Sequence, residues 1–257
     1  MISSYREHCE LLWRSWTDNT LTPSARLSAT FDLSAAPEPW LPLCPGDRPL
    51  VALTTNPGRT RDEQLQRRVD IMSGDSRVKP QTSYAEAAAV LAAYYKENLQ
   101  GTARRRITSL EQLSAFAGFH GVLQVESCPF HSPSLPNKRE LMRLSAAEPL
   151  LAGYVQALRS LIAAHTVVVL SAAGTGRSLW PVPELSAWLY WQADLVGLNA
   201  AKAECVPLVT RGDKVTCAAL VDGSGTRARA LVLMMGGNHL PREAGLRRLA
   251  EAIKNVS

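Results

Sequence analysis

Apolar positions gather into four short runs, Leu50–Leu53, Val122–Val125, Val167–Leu170 and Leu231–Met234, separated by long stretches with helical spacing. Runs of this length, bounded by Gly, Pro, Asn or Ser, read as buried strands. The first stops at Asn-Pro-Gly in RPLVALTTNPG, and the second enters a proline-punctuated loop in HGVLQVESCPFHSPSLPNK. The third meets a glycine turn in TVVVLSAAGTG, and the fourth runs into ARALVLMMGGNHLP. An amphipathic helix opens the chain, with Leu11, Leu12 and Trp16 at helical spacing. An alanine-rich helix spans Ser83 to Leu99, with Thr82 or Ser83 as its N-cap and Glu86 three residues beyond Ser83. Further helices are expected from Ser145 to Ala164, over ELSAWLYWQADLVGL and over the closing REAGLRRLAEAIKNV, and Arg59 to Arg77 reads as partly helical. The segment from Glu204 to Leu220 alternates as an edge strand, and VDGSGTR forms a turn. Prolines in SAAPEPWLPLCPGD mark a connector without regular structure.

Strands separated by long helices predict an α/β fold: a three-layer αβα arrangement around a central, mostly parallel sheet of four to five strands. No repeat or low-complexity tract divides the chain, so residues 1–257 read as a single domain, with residues 1–45 decorating its core. In an open α/β sheet, ligands bind outside the carboxyl ends of the strands. Chemistry is therefore expected in TTNPG, ESCPFHSP, SAAGTGRS and GGNHLPRE.

Composition narrows the class. With 46% hydrophobic and 20% charged residues, the chain suits a packed core. No apolar run approaches the roughly 20 residues that span a bilayer, so no membrane association is expected. The first residues carry charges where a signal peptide would be apolar. Five scattered cysteines, without C-x-x-C spacing, argue against structural zinc or a disulfide framework. Reduced thiols and a cytoplasmic location are the expectation. A net charge of +5 and a pI near 9.1 fit a polyanionic partner. Arginines cluster at Arg59–Arg61, Arg67–Arg68, Arg104–Arg106 and Arg242–Arg247–Arg248, although each cluster taken alone also suits a solvated helix face.

Common machines are missing. There is no G-x-x-x-x-G-K-[ST] and no G-x-S-x-G, and Gly174-Thr175-Gly176 lacks the third glycine of a dinucleotide fingerprint. Thr55-Asn56-Pro57-Gly58 is more telling. Pro57 biases Asn56 toward extended geometry, and Gly58 lets backbone approach a ligand. An asparagine so held positions a water, or simply closes a strand-to-loop turn. His239, in Asn238-His239-Leu240-Pro241, precedes the last helix. A neutral imidazole there donates to a developing anion, or serves as a capping or core histidine.

These motifs, in this order, resemble the uracil-DNA glycosylase superfamily over about residues 45–255. TTNPG resembles the Asn-Pro-Gly motif of the mismatch-specific and single-strand-selective branches. His239-Leu240-Pro241 keeps the histidine of the later His-Pro-Ser-Pro-like motif but departs from its remainder. VLQVESCPFHSP falls where that family has its base-recognition strand. The resemblance implies a uracil-DNA glycosylase-like fold and a monofunctional enzyme without cofactor or metal. Asn56 would then position the attacking water and His239 would stabilise the leaving base. Thr55, Pro57, Gly58, Glu126, Phe130, His131 and Asn238 become substrate contacts, and Arg59, Ser171, Arg177 and Arg242 become DNA contacts. Such enzymes extract the target nucleotide from the stack.

The second strand's end carries no asparagine, although Gln124 is near. Phe130 is suited to stack on a base. Glu126 is either an acceptor for an exocyclic amine, which cytosine has and uracil lacks, or a solvated or salt-bridged loop residue. The expected substrate is a non-canonical base, such as a modified cytosine of phage DNA, in antiphage defence rather than uracil repair. DNA is the expected partner, with no obligate protein partner. A non-catalytic nucleic-acid-binding module on the same fold, and an unrelated α/β hydrolase or nucleotide-binding protein, remain the alternatives.

Overall fold

The computed structural model describes residues 2–54, 83–98, 100–132, 138–163, 165, 167–173, 203–211, 214–222, 231–235 and 240–255. Seven strands form one sheet: β1 (Trp40–Arg48), β2 (Leu50–Thr54), β3 (His120–Glu126), β4 (Val167–Ala173), β5 (Ala203–Arg211), β6 (Lys214–Asp222) and β7 (Leu231–Met235). Their order is β1-β3-β2-β4-β7-β6-β5. The helices are α1 (Ile2–Thr17), α2 (Ala25–Thr30), α3 (Tyr84–Asn98), α4 (Gly101–Ala117), α5 (Lys138–Ala147), α6 (Pro149–Ala163) and α7 (Glu243–Lys254). None of the described helices is long and apolar enough to cross a membrane.

The four apolar runs are β2, β3, β4 and β7, and they pair in parallel as the centre of the sheet. The fold is thus α/β as expected, but the sheet is mixed and larger than the expected four or five strands. Three flanking pairings are antiparallel: β1 with β3, β6 with β7, and β5 with β6. Two of the additions come from the segment read as a single edge strand. It is a hairpin, in which Arg211 pairs with Lys214 across the two residues Gly212-Asp213. A two-residue loop with glycine is a hairpin signal.

The third addition is β1, inside the supposed connector. An edge strand needs one ladder only, so prolines survive there or at bulges. The β1–β3 register shifts between Pro42 and Cys44, and again between Cys44 and Arg48. Residues 40–48 therefore belong to the sheet and do more than decorate it.

Local signals fix most helices. Ser83 caps α3 through a reciprocal box: its backbone N–H donates to Glu86 Oε2 at 3.0 Å, and Glu86 N–H donates to Ser83 Oγ at 3.4 Å. The expected long helix from Ser145 is two, α5 and α6, parted before Pro149. Proline suits the first helical position and disfavours helical geometry in the residue before it. In α1 the buried face is Tyr5, Cys9, Leu12 and Trp13, while Leu11 is 55% exposed. The opening helix is as expected, but its apolar stripe is rotated. Helix α1 packs on α6, α3 on β1, and α4 on both β3 and α7. The buried apolar side chains form one cluster.

The β1–β3 crossing is close. Gly121 has φ +110°, and a Cβ there would lie 2.5 Å from the Cys44 carbonyl oxygen. Gly121→Ala is expected to lower the free energy of urea unfolding by roughly 2 kcal/mol or more, through strain and steric overlap together. An unchanged midpoint would show that this crossing does not constrain the edge.

Candidate functional site at the carboxyl edge of the sheet

The four parallel strands end on one edge of the sheet, at Thr54, Glu126, Ala173 and Met235. The chain leaves β2 for β3 on one side, then returns past β2 to β4 on the other. That reversal makes the β2/β4 boundary a topological switch point, where open α/β sheets bind ligands. Asn56 follows β2 by two residues, and His239 follows β7 by four. Thr55, Asn56, Pro57, Gly58, Arg59, Arg177, Asn238 and His239 lie outside the described residues, as do residues 59–77 and the helix expected over 184–198. Ser171 lies on β4, whose backbone is described there. Arg242 is exposed and occupies the N-cap position of α7, with no side-chain capping bond.

Glu126 ends β3 and pairs in parallel register with Thr54. Its side chain is buried, not solvated. Gln124 and Glu126 lie two apart on one strand and so on one face. Gln124 Nε2 donates to Glu126 Oε1 at 2.9 Å. The Thr54 hydroxyl lies close enough to favour the ionised carboxyl. The same hydroxyl also lies 3.0 Å from the Val125 carbonyl oxygen. Oε2 is buried and has no hydrogen-bond partner. Burial pushes the Glu126 carboxyl up to about 7, against the opposing influence of Thr54, Gln124 and Arg106, with Glu38 adding to the rise.

The loop after β3 is held firmly. Ser127 donates to the Thr54 carbonyl twice, through its N–H at 2.9 Å and its hydroxyl at 2.7 Å. The N-terminal segment supplies three more backbone bonds: Glu126 N–H to Pro39 O at 3.0 Å, Glu38 N–H to Pro129 O at 2.8 Å, and Asp32 N–H to His131 O at 2.8 Å. From above, the Tyr154 hydroxyl donates to the Glu126 carbonyl at 2.6 Å, and the Tyr5 hydroxyl to Pro39 O at 2.9 Å. Burial lifts the Cys128 thiol to about 12, so it is no nucleophile here.

Inside this frame sits a second buried carboxylate. Glu38 Oε1 faces His131 Nε2 at 3.5 Å, and the Tyr95 hydroxyl donates to Glu38 Oε2 at 3.2 Å. Phe130 is buried with its ring 5.8 Å from that of Phe31, in a tilted arrangement. Among the described residues, every buried polar side chain except Ser114 comes from this strand edge or its tether: Glu38, Thr54, Gln124, Glu126, Ser127, His131 and Ser132. No group of three or more His, Cys, Asp or Glu is placed to hold a metal among the described residues.

Glu38 and Tyr95 are not among the residues the sequence points to, and Arg106 figures there only in an arginine cluster. Glu38 had a visible signal, as the lone carboxylate between two prolines in an apolar stretch. Arg106 lies on α4, a helix the sequence reading did not anticipate. It is half-buried, and burial holds its guanidinium below the usual range while Glu126 pulls it back up.

Between the ordinary carboxyl value of 4.5 and about 7, folded Glu126 holds a proton that the unfolded chain has released. Its contribution is therefore favourable at acid pH and is lost as pH rises through that window. The penalty above pH 7 is on the order of 3 kcal/mol. Glu126→Gln should flatten the dependence of unfolding free energy on pH between about 4.5 and 7, and should leave the variant at least as stable as the wild type at pH 8. An unaltered pH profile in denaturant melts would show that Glu126 titrates normally.

No family model, curated protein or solved structure matches this sequence.

Proposed function

We propose that the protein is a monofunctional DNA N-glycosylase that flips a non-canonical base from the stack and hydrolyses its glycosidic bond. One observation carries this reading. The parallel register of Thr54 with Glu126 sets a buried carboxyl beside the strand end that Asn56 follows by two residues. The resemblance of TTNPG to the Asn-Pro-Gly motif adds support, as does the common direction of β2 and β7. Both strands end on the same edge of the sheet, and in sequence Asn56 and His239 follow those ends by two and four residues. Right-handed crossovers would put α3 and α4 on one face and α5 and α6 on the other, in the three-layer arrangement such enzymes use.

In this mechanism Asn56 aligns a water against the anomeric carbon, and His239 donates to the base as negative charge develops on it. Preorganised donors of this kind contribute most where water is excluded. Glu126 accepts from an exocyclic amine, which favours a modified cytosine over uracil. Excess positive charge, including exposed Arg242, holds phosphates. Removal of modified cytosines from phage DNA is the biological role this pocket suits.

Mass spectrometry of bases released from oligonucleotides and phage DNA tests the reading. Release of a modified cytosine is expected, with Asn56→Ala and His239→Ala each slowing it by roughly 100-fold or more. Release of uracil alone would refute the substrate, and full activity in both variants would refute the roles. Salt-dependent DNA binding without release from any substrate would mark a binding module.

A further inference from the structure

Helix α5 turns two different faces to its surroundings. Leu141 and Leu144 are buried, while Arg139, Met142, Arg143 and Ala146 recur at i, i+3, i+4 and i+7 and are exposed. An open hollow of about 540 Å³ lies against that stripe. Among the described residues, Leu11 and Met142 are the exposed large apolar side chains. Arg139 and Arg143 make no ion pair, hydrogen bond or ring contact among the described residues. The exposed helical arginines Arg14, Arg26 and Arg247 each have a carboxylate partner. Lys138 and Arg139 open the helix, and its last turn carries no basic residue. That is the reverse of what the helix dipole favours, so helix stability does not account for the placement of these charges. The stripe also begins beside the carboxyl edge of the sheet. Arg26 Nε meets Glu140 at 2.7 Å and ties α5 to α2, which leads into Phe31 and Asp32. Those two residues in turn hold Phe130 and the His131 carbonyl.

We propose that this stripe of α5 is a rail for the phosphate backbone of a DNA strand whose target base enters at the carboxyl edge. Arg139 and Arg143 each take one phosphate, and Met142 packs against the sugar between them. The two arginines stand four residues apart, which is about 6 Å along the helix axis. That span is of the order of one nucleotide step in an extended strand. A guanidinium fork matches phosphate oxygens two at a time and is weakly hydrated, so it gives up its water readily. A single exposed methionine is too little to anchor the helix in a lipid surface, whereas the net charge of +5 draws a polyanion to the chain as a whole. The rail deepens the glycosylase reading and rests on it for the identity of the polyanion as DNA.

Fluorescence anisotropy of a labelled single-stranded oligonucleotide, titrated with the full chain at several salt concentrations, tests the rail. The double variant Arg139→Gln/Arg143→Gln should weaken binding and reduce the slope of log affinity against log salt by about 1.4, the counterion release of two phosphates. Arg139→Lys/Arg143→Lys should keep the wild-type slope, because both charges remain. Met142→Ala should weaken binding without altering the slope. Arg14→Gln, which removes an exposed but paired charge, should leave both quantities unchanged. A wild-type slope in the double glutamine variant would overturn the rail, and base release by that variant would leave the glycosylase reading standing. Polyglutamate bound more tightly than the oligonucleotide at equal charge, and weakened by the same double variant, would overturn it in favour of an acidic protein partner. The expected loss of slope, with no base released by the wild type from any DNA, would reject the glycosylase reading and retain the rail.

Discussion

Buried polar atoms must be partnered, and at the carboxyl end of β3 that demand organises the surrounding structure. The strand carries Gln124 and Glu126 into the interior, and the following loop adds Ser127, His131 and Ser132. None of these is tolerable in a dry site without hydrogen bonds. The partners come from far along the chain. Pro39 O receives the Glu126 N–H and the Tyr5 hydroxyl, while Tyr154 reaches down from α6 to the Glu126 carbonyl. Glu38 meets His131 and Tyr95. The N-terminal segment is thus the second wall of the site. Its prolines fix the chain on both sides of Glu38, so the carboxylate is presented from a backbone with little freedom to lose.

What was legible in the sequence was local. The four parallel strands announced themselves as short apolar runs closed by turn residues, and the Ser83–Glu86 box marked where α3 begins. The closing helix carried a regular apolar face at Leu246, Leu249 and Ile253. What was illegible depended on neighbours. A proline disqualifies a central strand but not an edge strand, and position in the sheet is not written in SAAPEPWLPLCPGD. Helix α4 opens on GTARRR, a polar start that hides the apolar spacing of Ile107, Leu110 and Leu113 behind it.

The site divides along the same line. Glu126 was recognisable as a carboxylate at a strand end, but its burial was not, because several of the groups around it, Thr54, Arg106 and Glu38, come from other parts of the chain. Tyr95 and Arg106 come from the consecutive helices α3 and α4, while Glu38 reaches them from the N-terminal segment before β1. Phe130 and His131 illustrate the remaining gap. Residue type marked them as capable of base contact, while their packing against Phe31 and Glu38 is a property of the folded N-terminal segment alone.

The edge combines two features that stability alone would not select together. Its backbone is heavily determined, with Thr54 O, Pro39 O, Pro129 O and His131 O all engaged by specific donors. Its side chains are under-satisfied, with Glu126 Oε2, Arg106 Nε and, on β1 opposite Val125, Trp40 Nε1 buried without a hydrogen-bond partner. A core optimised for stability would replace such buried charges by apolar residues of similar volume, a change that often stabilises. A rigid frame around unmet hydrogen-bonding capacity runs against the pairing rule that holds through the rest of the described core. Local conflict with the rules that hold elsewhere in a structure concentrates at functional sites. Here it lies at the end of β3, one strand away from the β2/β4 boundary where the strand order reverses.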